Sequence, residues 1–402
     1  MTGAAPLAGL SVLDFGHTIM GPCAGMILAD LGADVVKIEP PEGDATRRLP
    51  GFGAGFFATF NRNKRGLALD LKRPEGQAAL HRLAARADIL LENFGPGTME
   101  RLGGGYGTLA AINPRLIYLA LKGYLAGPYE GRGALDEVVQ MQSGLAVMTG
   151  PPGRPLRAGA SVIDILGAVF GVTGALAALR ERERTGRGQR VGSALFESAA
   201  FLVGSHLAGS ALTGGPMPPM PARRGTWGIY DVFDSADGVQ VFVGVTSDAH
   251  WRRFTAAFAL PDLAADARLA DNAGRAAERD WLIPRLAELL GMRPAADIIA
   301  SCTEADLPHA RVGHPLDLLG DPHLLAAGLL PTLLSPLGAP GEAVGLPALP
   351  LEFGADRARH GLRQQPPAIG ADTDAVLREA GFAGDEIAAL RQGGVAGARA
   401  AR

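Results

Sequence analysis

Over roughly its first half the chain alternates short apolar runs with helical stretches, and few folds accept that alternation. Residues 10–15 (LSVLDF), 34–39, 88–92 and 116–122 read as strands. Residues 21–31 read as a helix of small side chains, and 74–86 as a helix with Pro74 in its first turn. Strands separated by helices imply a parallel sheet covered on both faces, an α/β architecture. Such sheets bind ligands beyond the carboxyl ends of their strands. Here those ends carry His17, Glu39, Asn93 and residues 122–124.

The second half changes character. Residues 162–184 read as a long helix, apolar first and charged later, stopped by Gly186 and Gly188. A strand at 190–196 and a helix at 198–212 follow. The stretch TGGPMPPMPARR (213–224) reads as a linker. A strand at 239–245 and helices at 249–258, 278–290 and 295–302 then suggest a small α+β domain. A second Pro-rich region spans 331–350. The expected division is a large domain from 1–212 and 331–392 and a small one at 225–315. Linkers fall at 213–224 and 316–330, with a flexible tail at 393–402.

Composition closes off several classes. A net charge of -3 gives no field to recruit nucleic acid or an anionic membrane. The longest apolar stretch, 165–179, carries three glycines and is short for a bilayer span, so it reads as a buried helix. Residues 1–6 lack the basic and apolar pattern of a signal peptide. Cys23 and Cys302 cannot frame a disulfide scaffold and fit a reducing, cytoplasmic setting. Cys23 follows Gly-Pro at a helix start, where a thiol can be activated. Free cysteine in such a place is more often a packed small residue.

Familiar chemistries are missing. There is no G-x-x-x-x-G-K-[ST] loop, no G-x-S-x-G elbow, and no H-E-x-x-H or C-x-x-C spacing. Gly51, Gly53 and Gly55 are not spaced as a dinucleotide fingerprint. The informative residue is Asp164, in RAGASVIDILGA (157–168), near the start of an apolar helix. A carboxylate there is costly unless it is paired, capping or functional. It reads equally as a first-turn acid favoured by the helix dipole and as a nucleophile in a partly dry site.

Several segments appear in register along nearly the whole chain: LSVLDFGHTIMGP (10–22), LGADVVKIE (31–39), FNRNKR (60–65) and LALDLKRPEG (67–76). ENFGPG (92–97), KGY (122–124), RTGRGQ (184–189) and IGADTDAVL (369–377) continue the series. Together they resemble the class III (family III) coenzyme A transferases, the group of formyl-CoA transferase, carnitine CoA-transferase and the α-methylacyl-CoA racemases. The resemblance implies a doubly wound, Rossmann-like large domain built from both chain ends and a small inserted domain. It also implies a homodimer whose subunits thread as linked rings.

The resemblance implies a mechanism as well. Asp164 stands where the family has its nucleophilic aspartate, which attacks the acyl-CoA thioester and forms a mixed anhydride. Backbone N–H groups near Asp164 are the natural oxyanion donors. Asp136 and Tyr124 fall among the family's polar active-site groups; a helix cap and a packed aromatic are their plain structural alternatives. Thr18, Ile19, Met20, Leu69, Lys72, Asn93, Phe94, Gly95, Arg101 and Lys122 match the CoA-contacting positions. Arg47, Arg48, Arg62, Lys64 and Arg65 are further basic candidates. CoA enters as substrate, and no metal or redox cofactor is implied.

Three departures narrow the reading. Ile19 replaces the Gln of formyl-CoA transferases, their Gly-rich loop near the small domain has no counterpart, and Pro40 follows K-I-E where they carry a basic residue. Leu135, not His, precedes Asp136, which removes the imidazole base of the racemases and makes racemization the second reading. A non-catalytic CoA-binding protein is a third reading, opposed by the retained Asp164. Arg223, Arg224 and Trp227 follow the linker and could meet a second carboxylate, which suggests succinyl-CoA as donor and a dicarboxylic acid as acceptor.

Overall fold

The computed structural model describes residues 5–222, 226–334 and 343–398. Its contacts divide the chain into two compact units, Met1–Pro221 with Leu324–Arg402, and Ala222–His323.

The larger unit is built on six parallel strands. In chain order they are β1 (Ser11–Asp14), β2 (Asp34–Glu39), β3 (Lys64–Ala68), β4 (Ile89–Glu92), β5 (Ile117–Lys122) and β6 (Arg190–Ala194). Their spatial order is β3-β2-β1-β4-β5-β6. The order reverses between β1 and β4, so the crevice beyond those two strands is where such a sheet takes its ligand. Buried side chains cover both faces. Val12, Ile89, Leu91 and Leu119 pack against the Met20–Asp30 and Val162–Thr185 helices. Leu13, Val36, Leu90 and Ala120 pack against the Pro74–Ala84 helix and C-terminal residues such as Leu377 and Ile387.

Strand β3 departs from the sequence reading, which placed none there. Lys64, Arg65 and Gly66 hide it from hydrophobic patterning, because Lys64 is buried as an ion pair with Asp14, 2.7 Å away. The helix expected at 198–212 is two helices, Leu195–Leu202 and Gly204–Thr213, bent by 48°. The expected flexible tail is corrected over 393–398: Val395 and Ala396 are buried, and Gly397 N–H donates to Ala68 O at 3.0 Å. Residues 399–402 lie outside the described residues.

The apolar run 165–179 belongs to a longer helix, Val162–Thr185, of 24 residues. By length and composition alone it is apolar enough to cross a membrane, a test that the core helix of a folded protein passes as well. Its packing is that of a core helix on one side. A methyl group at Gly167 would meet Met20 at 2.5 Å and one at Gly171 would meet Leu121 at 2.6 Å, so glycine lets the helix lie close on its neighbours. Its other side exposes Ile165 and Val169.

The smaller unit holds three antiparallel strands, β7 (Ile229–Asp234), β8 (Gln240–Val245) and β9 (His309–Arg311). Phe233, Val243, Trp251, Phe254, Leu282, Leu286 and Cys302 form its core. A further hairpin, β10 (Leu329–Leu333) with β11 (Ala343–Pro347), belongs to the larger unit.

Candidate active site

The crevice between β1 and β4 is held shut at its base by one asparagine. His17 N–H donates to Asn93 Oδ1 at 2.8 Å, and Asn93 Nδ2 donates to His17 O at 3.0 Å. The residue after His17, Thr18, takes φ +61, a costly conformation for a β-branched side chain. Thr46 compensates, its Oγ1 accepting the Thr18 N–H at 3.0 Å. Thr46 Oγ1 in turn donates to Asp44, which is paired with buried Lys37 at 3.0 Å. The β1 loop is thereby fixed to a charged cluster inside the protein.

Beyond this base opens a cleft of about 220 Å³. Thr18, Ile19, Met20, Asn93, Phe94, Gly95 and Lys122 line it, together with Asp136 and Asp164. Three matched positions lie elsewhere. Leu69 is a core side chain bridged to Ala396. Lys72 and Arg101 do not line the cleft, and the Arg101 guanidinium donates to Thr98 Oγ1 at 2.9 Å. Of the further basic candidates, Arg47, Arg62 and Lys64 are buried against Glu39, Asp30 and Asp14. Those three are structural cations. Arg223 and Arg224 lie outside the described residues.

Asp164 occupies the first turn of the Val162–Thr185 helix, but it is not the cap. Asp136 is: its Oδ2 accepts the N–H of Ile163 at 2.8 Å and of Asp164 at 3.0 Å. Gln140 holds the other Asp136 oxygen. The N–H groups beside Asp164 are therefore already engaged, which corrects their expected role as oxyanion donors. The Met20–Asp30 helix starts on the cleft wall with no side-chain cap; Pro22 has no N–H and the Cys23 N–H donates to Ile19 O at 2.8 Å, so the Met20 and Gly21 N–H groups are its candidate donors to an anion.

Burial, then the facing charges of Asp136 and Glu137, push the Asp164 carboxyl up to about 7. Asp164 thus changes charge near neutrality inside the cleft, a property that accompanies catalytic carboxyls. Tyr124 stays apart. It is buried against Tyr129 and Phe196, its hydroxyl donates to Gln142 at 2.7 Å, and it does not line this cleft. Cys23 is buried near Asp164 with its thiol pushed up to about 12, mainly by desolvation, which makes it a packing residue.

Sequence reading missed His17 as a cleft residue in its own right, as well as Glu130 and Arg132. His17 was legible only as a strand-end group. Glu130 and Arg132 sit in a loop without periodicity, where only the aromatic Tyr129 just before them hints at a role.

Comparison with known proteins agrees with this geometry. The pattern of CoA-transferase family III matches residues 7–373. The chain is 34% identical to succinyl-CoA–D-citramalate CoA-transferase of Chloroflexus aurantiacus, over 80% of this chain and 82% of that one. It is 36% identical to succinyl-CoA:mesaconate CoA-transferase of Haloarcula hispanica, over 78% of this chain and 82% of that one. Its fold superposes on a CAIB/BAIF family protein from Brucella suis with a TM-score of 0.80 and 30% identity, covering 94% of this chain and all (100%) of that one.

Proposed function

The chain belongs to CoA-transferase family III, and from that premise we propose that it transfers CoA from succinyl-CoA to a dicarboxylic acid through an anhydride at Asp164. The observation that carries the mechanism is the placement of Asp164: a carboxylate in the switch-point cleft, poised near neutrality, with its neighbouring N–H groups occupied. The carboxylate attacks the thioester carbonyl and CoA thiolate leaves. The acceptor carboxylate takes the acyl group from Asp164, restoring it. The retained thiolate then attacks the acceptor's carbonyl, forming the new thioester and releasing succinate. Covalent capture conserves the thioester energy that free water would dissipate.

The acceptor class follows the relatives, whose names specify citramalate and mesaconate, both dicarboxylic acids. Racemization has weaker support, because the cleft residue before Asp136 is Leu135 and not an acid–base group. Intact-protein mass spectrometry after succinyl-CoA and hydroxylamine tests the reading. A hydroxamate on the wild-type chain is expected. Exchange of the thioester α-proton with no enzyme adduct from any donor would instead favour the racemase.

A pH profile follows from the carboxyl. The nucleophile must be ionised, so kcat/KM is expected to rise with pH through about 7. Asp136→Ala removes a facing charge and moves that acid limb to lower pH. It also removes the helix cap and costs about 1 kcal/mol in unfolding experiments. An unmoved limb would mean that Asp136 does not tune Asp164.

A homodimer completes the proposal. Phe201 (72% exposed), Leu207 (63%) and Leu212 (88%) continue the apolar side begun by Ile165 and Val169. A second copy covering this face accounts for so much exposed hydrocarbon on neighbouring helices. Light scattering is expected to return twice the chain mass, and a monomer at micromolar concentration would contradict it. Cys23 and Cys302, both free and buried, are in keeping with a cytoplasmic setting.

A further inference from the structure

We propose that Arg132 is the specificity residue of the Asp164 cleft, pairing with the far carboxylate of the dicarboxylic acyl group. The inference rests on the transferase reading and adds to it the group that recognises the acid.

Three side chains lining the cleft can carry positive charge: His17, Lys122 and Arg132. Lys122 is committed, with its Nζ 2.6 Å from Glu92 and donating to Phe94 O at 2.8 Å. Burial lowers the His17 pKa, which disfavours the charged ring. Arg132 differs from both. Among the described residues no ion pair or hydrogen bond engages its guanidinium; only its backbone N–H is bound, to Tyr129 O at 2.8 Å. Glu130 lines the same cleft and forms no ion pair with it.

Arg132 is exposed, and its guanidinium rests on an aromatic platform. It lies over the Tyr129 ring at 4.1 Å, and that ring stands edge-on to Tyr124 at 5.6 Å and to Phe196 at 6.3 Å. Tyr124 packs in turn on Phe196 at 5.5 Å. A planar fork stacked on an aromatic base keeps its N–H edge free for a carboxylate, which it binds through two parallel hydrogen bonds. Tyr124 acquires a role in this arrangement, as part of the platform and not as a group touching substrate.

Two anions could use such a fork, the phosphates of CoA or the carboxylate of the acyl group. Asp164 fixes the position of the thioester. The pantetheine arm is uncharged and separates the thioester from the phosphates; Lys122 already stands among the positions matched to CoA, and Arg132, which is not one of them, is assigned to the acyl end.

The test measures CoA release in a single turnover, with hydroxylamine trapping the Asp164 anhydride from every donor alike, so that the second-order rate constant reports kcat/KM for acyl transfer to the enzyme. Wild type, Arg132→Met and Arg132→Lys are each given succinyl-CoA and propionyl-CoA, which lacks the far carboxylate. Arg132→Met is expected to lower kcat/KM for succinyl-CoA about 10- to 100-fold and to leave propionyl-CoA within about twofold. Arg132→Lys restores part of the loss, since it returns charge without the fork. Tyr129→Leu, which removes the platform and keeps the cation, gives a smaller loss in the same direction. Equal losses with both thioesters would assign Arg132 to CoA and overturn the proposal, as would an unchanged rate with succinyl-CoA. A wild-type protein that releases CoA from neither thioester overturns the transferase reading, and this inference with it.

Discussion

Asp164→Asn is expected to lower kcat at least about 1,000-fold while leaving the folded protein as stable as the wild type or more so. The first half follows from the role of the group, because an amide oxygen cannot form the anhydride. The second follows from linkage. The folded-state value of about 7 stands above the model value of 3.8. Between those values the folded state binds more protons than the unfolded chain, so stability falls as pH rises through that window. Asparagine carries no charge and escapes that penalty. Its advantage is expected to be complete above pH 7 and to vanish below about pH 4. Thermal unfolding at pH 8 and pH 4, beside steady-state rates at pH 8, measures both halves. A variant with wild-type turnover would remove Asp164 from the mechanism. A variant that melts well below wild type at pH 8 would show the acid to be structural. The combination expected, dead and more stable, is the signature of a residue kept for chemistry at the expense of the fold.

The second large effect lies under the sheet. Lys64→Met is expected to destabilise the larger unit by about 3–5 kcal/mol, lowering Tm by roughly 10 °C. Lys64 and Asp14 have no exposed side-chain surface, and the lysine also donates to Pro22 O and Asn61 Oδ1. Methionine fills the volume and leaves the Asp14 carboxylate buried without a counter-charge. Adding Asp14→Asn should recover much of the loss, since Asn can still accept the Gly16 N–H that Asp14 Oδ1 now takes at 2.7 Å. A double variant no better than Lys64→Met would mean that the cation matters by itself and not as half of a pair.

That same pair shows where sequence reading reached its limit. Strands β1, β2, β4 and β5 are dominated by buried apolar side chains, and patterning finds them. The segment Lys64–Ala68 is as much a strand as they are, but its first residue is charged and its partner stands on β1. A local window sees the cation and not the anion that neutralises it. Arg47 and Arg62 misled in the same way, passing for phosphate ligands when each is spent on an internal carboxylate. For Asp164 the sequence posed the right alternatives, cap or nucleophile. Only the fold could show that the cap is a different residue, Asp136, on a separate helix. Arg132 was beyond reach, because its meaning comes from the ring beneath it and the cleft it borders.

The C-terminal residues that pack against β3 impose an order on biosynthesis. Asp372 Oδ2 accepts the Gly66 N–H, and Ala396 bridges Leu69. A ribosome that has delivered β6 has made the whole parallel sheet, yet β3 is its edge and still lacks this cover. Residues 195–366, including the entire smaller unit, emerge before that cover can arrive. The nascent chain must therefore carry an open strand edge while residues 195–366 are made, the kind of edge that recruits neighbouring chains. Completion of the larger unit waits for residues 372–396, which follow the whole smaller unit in the chain.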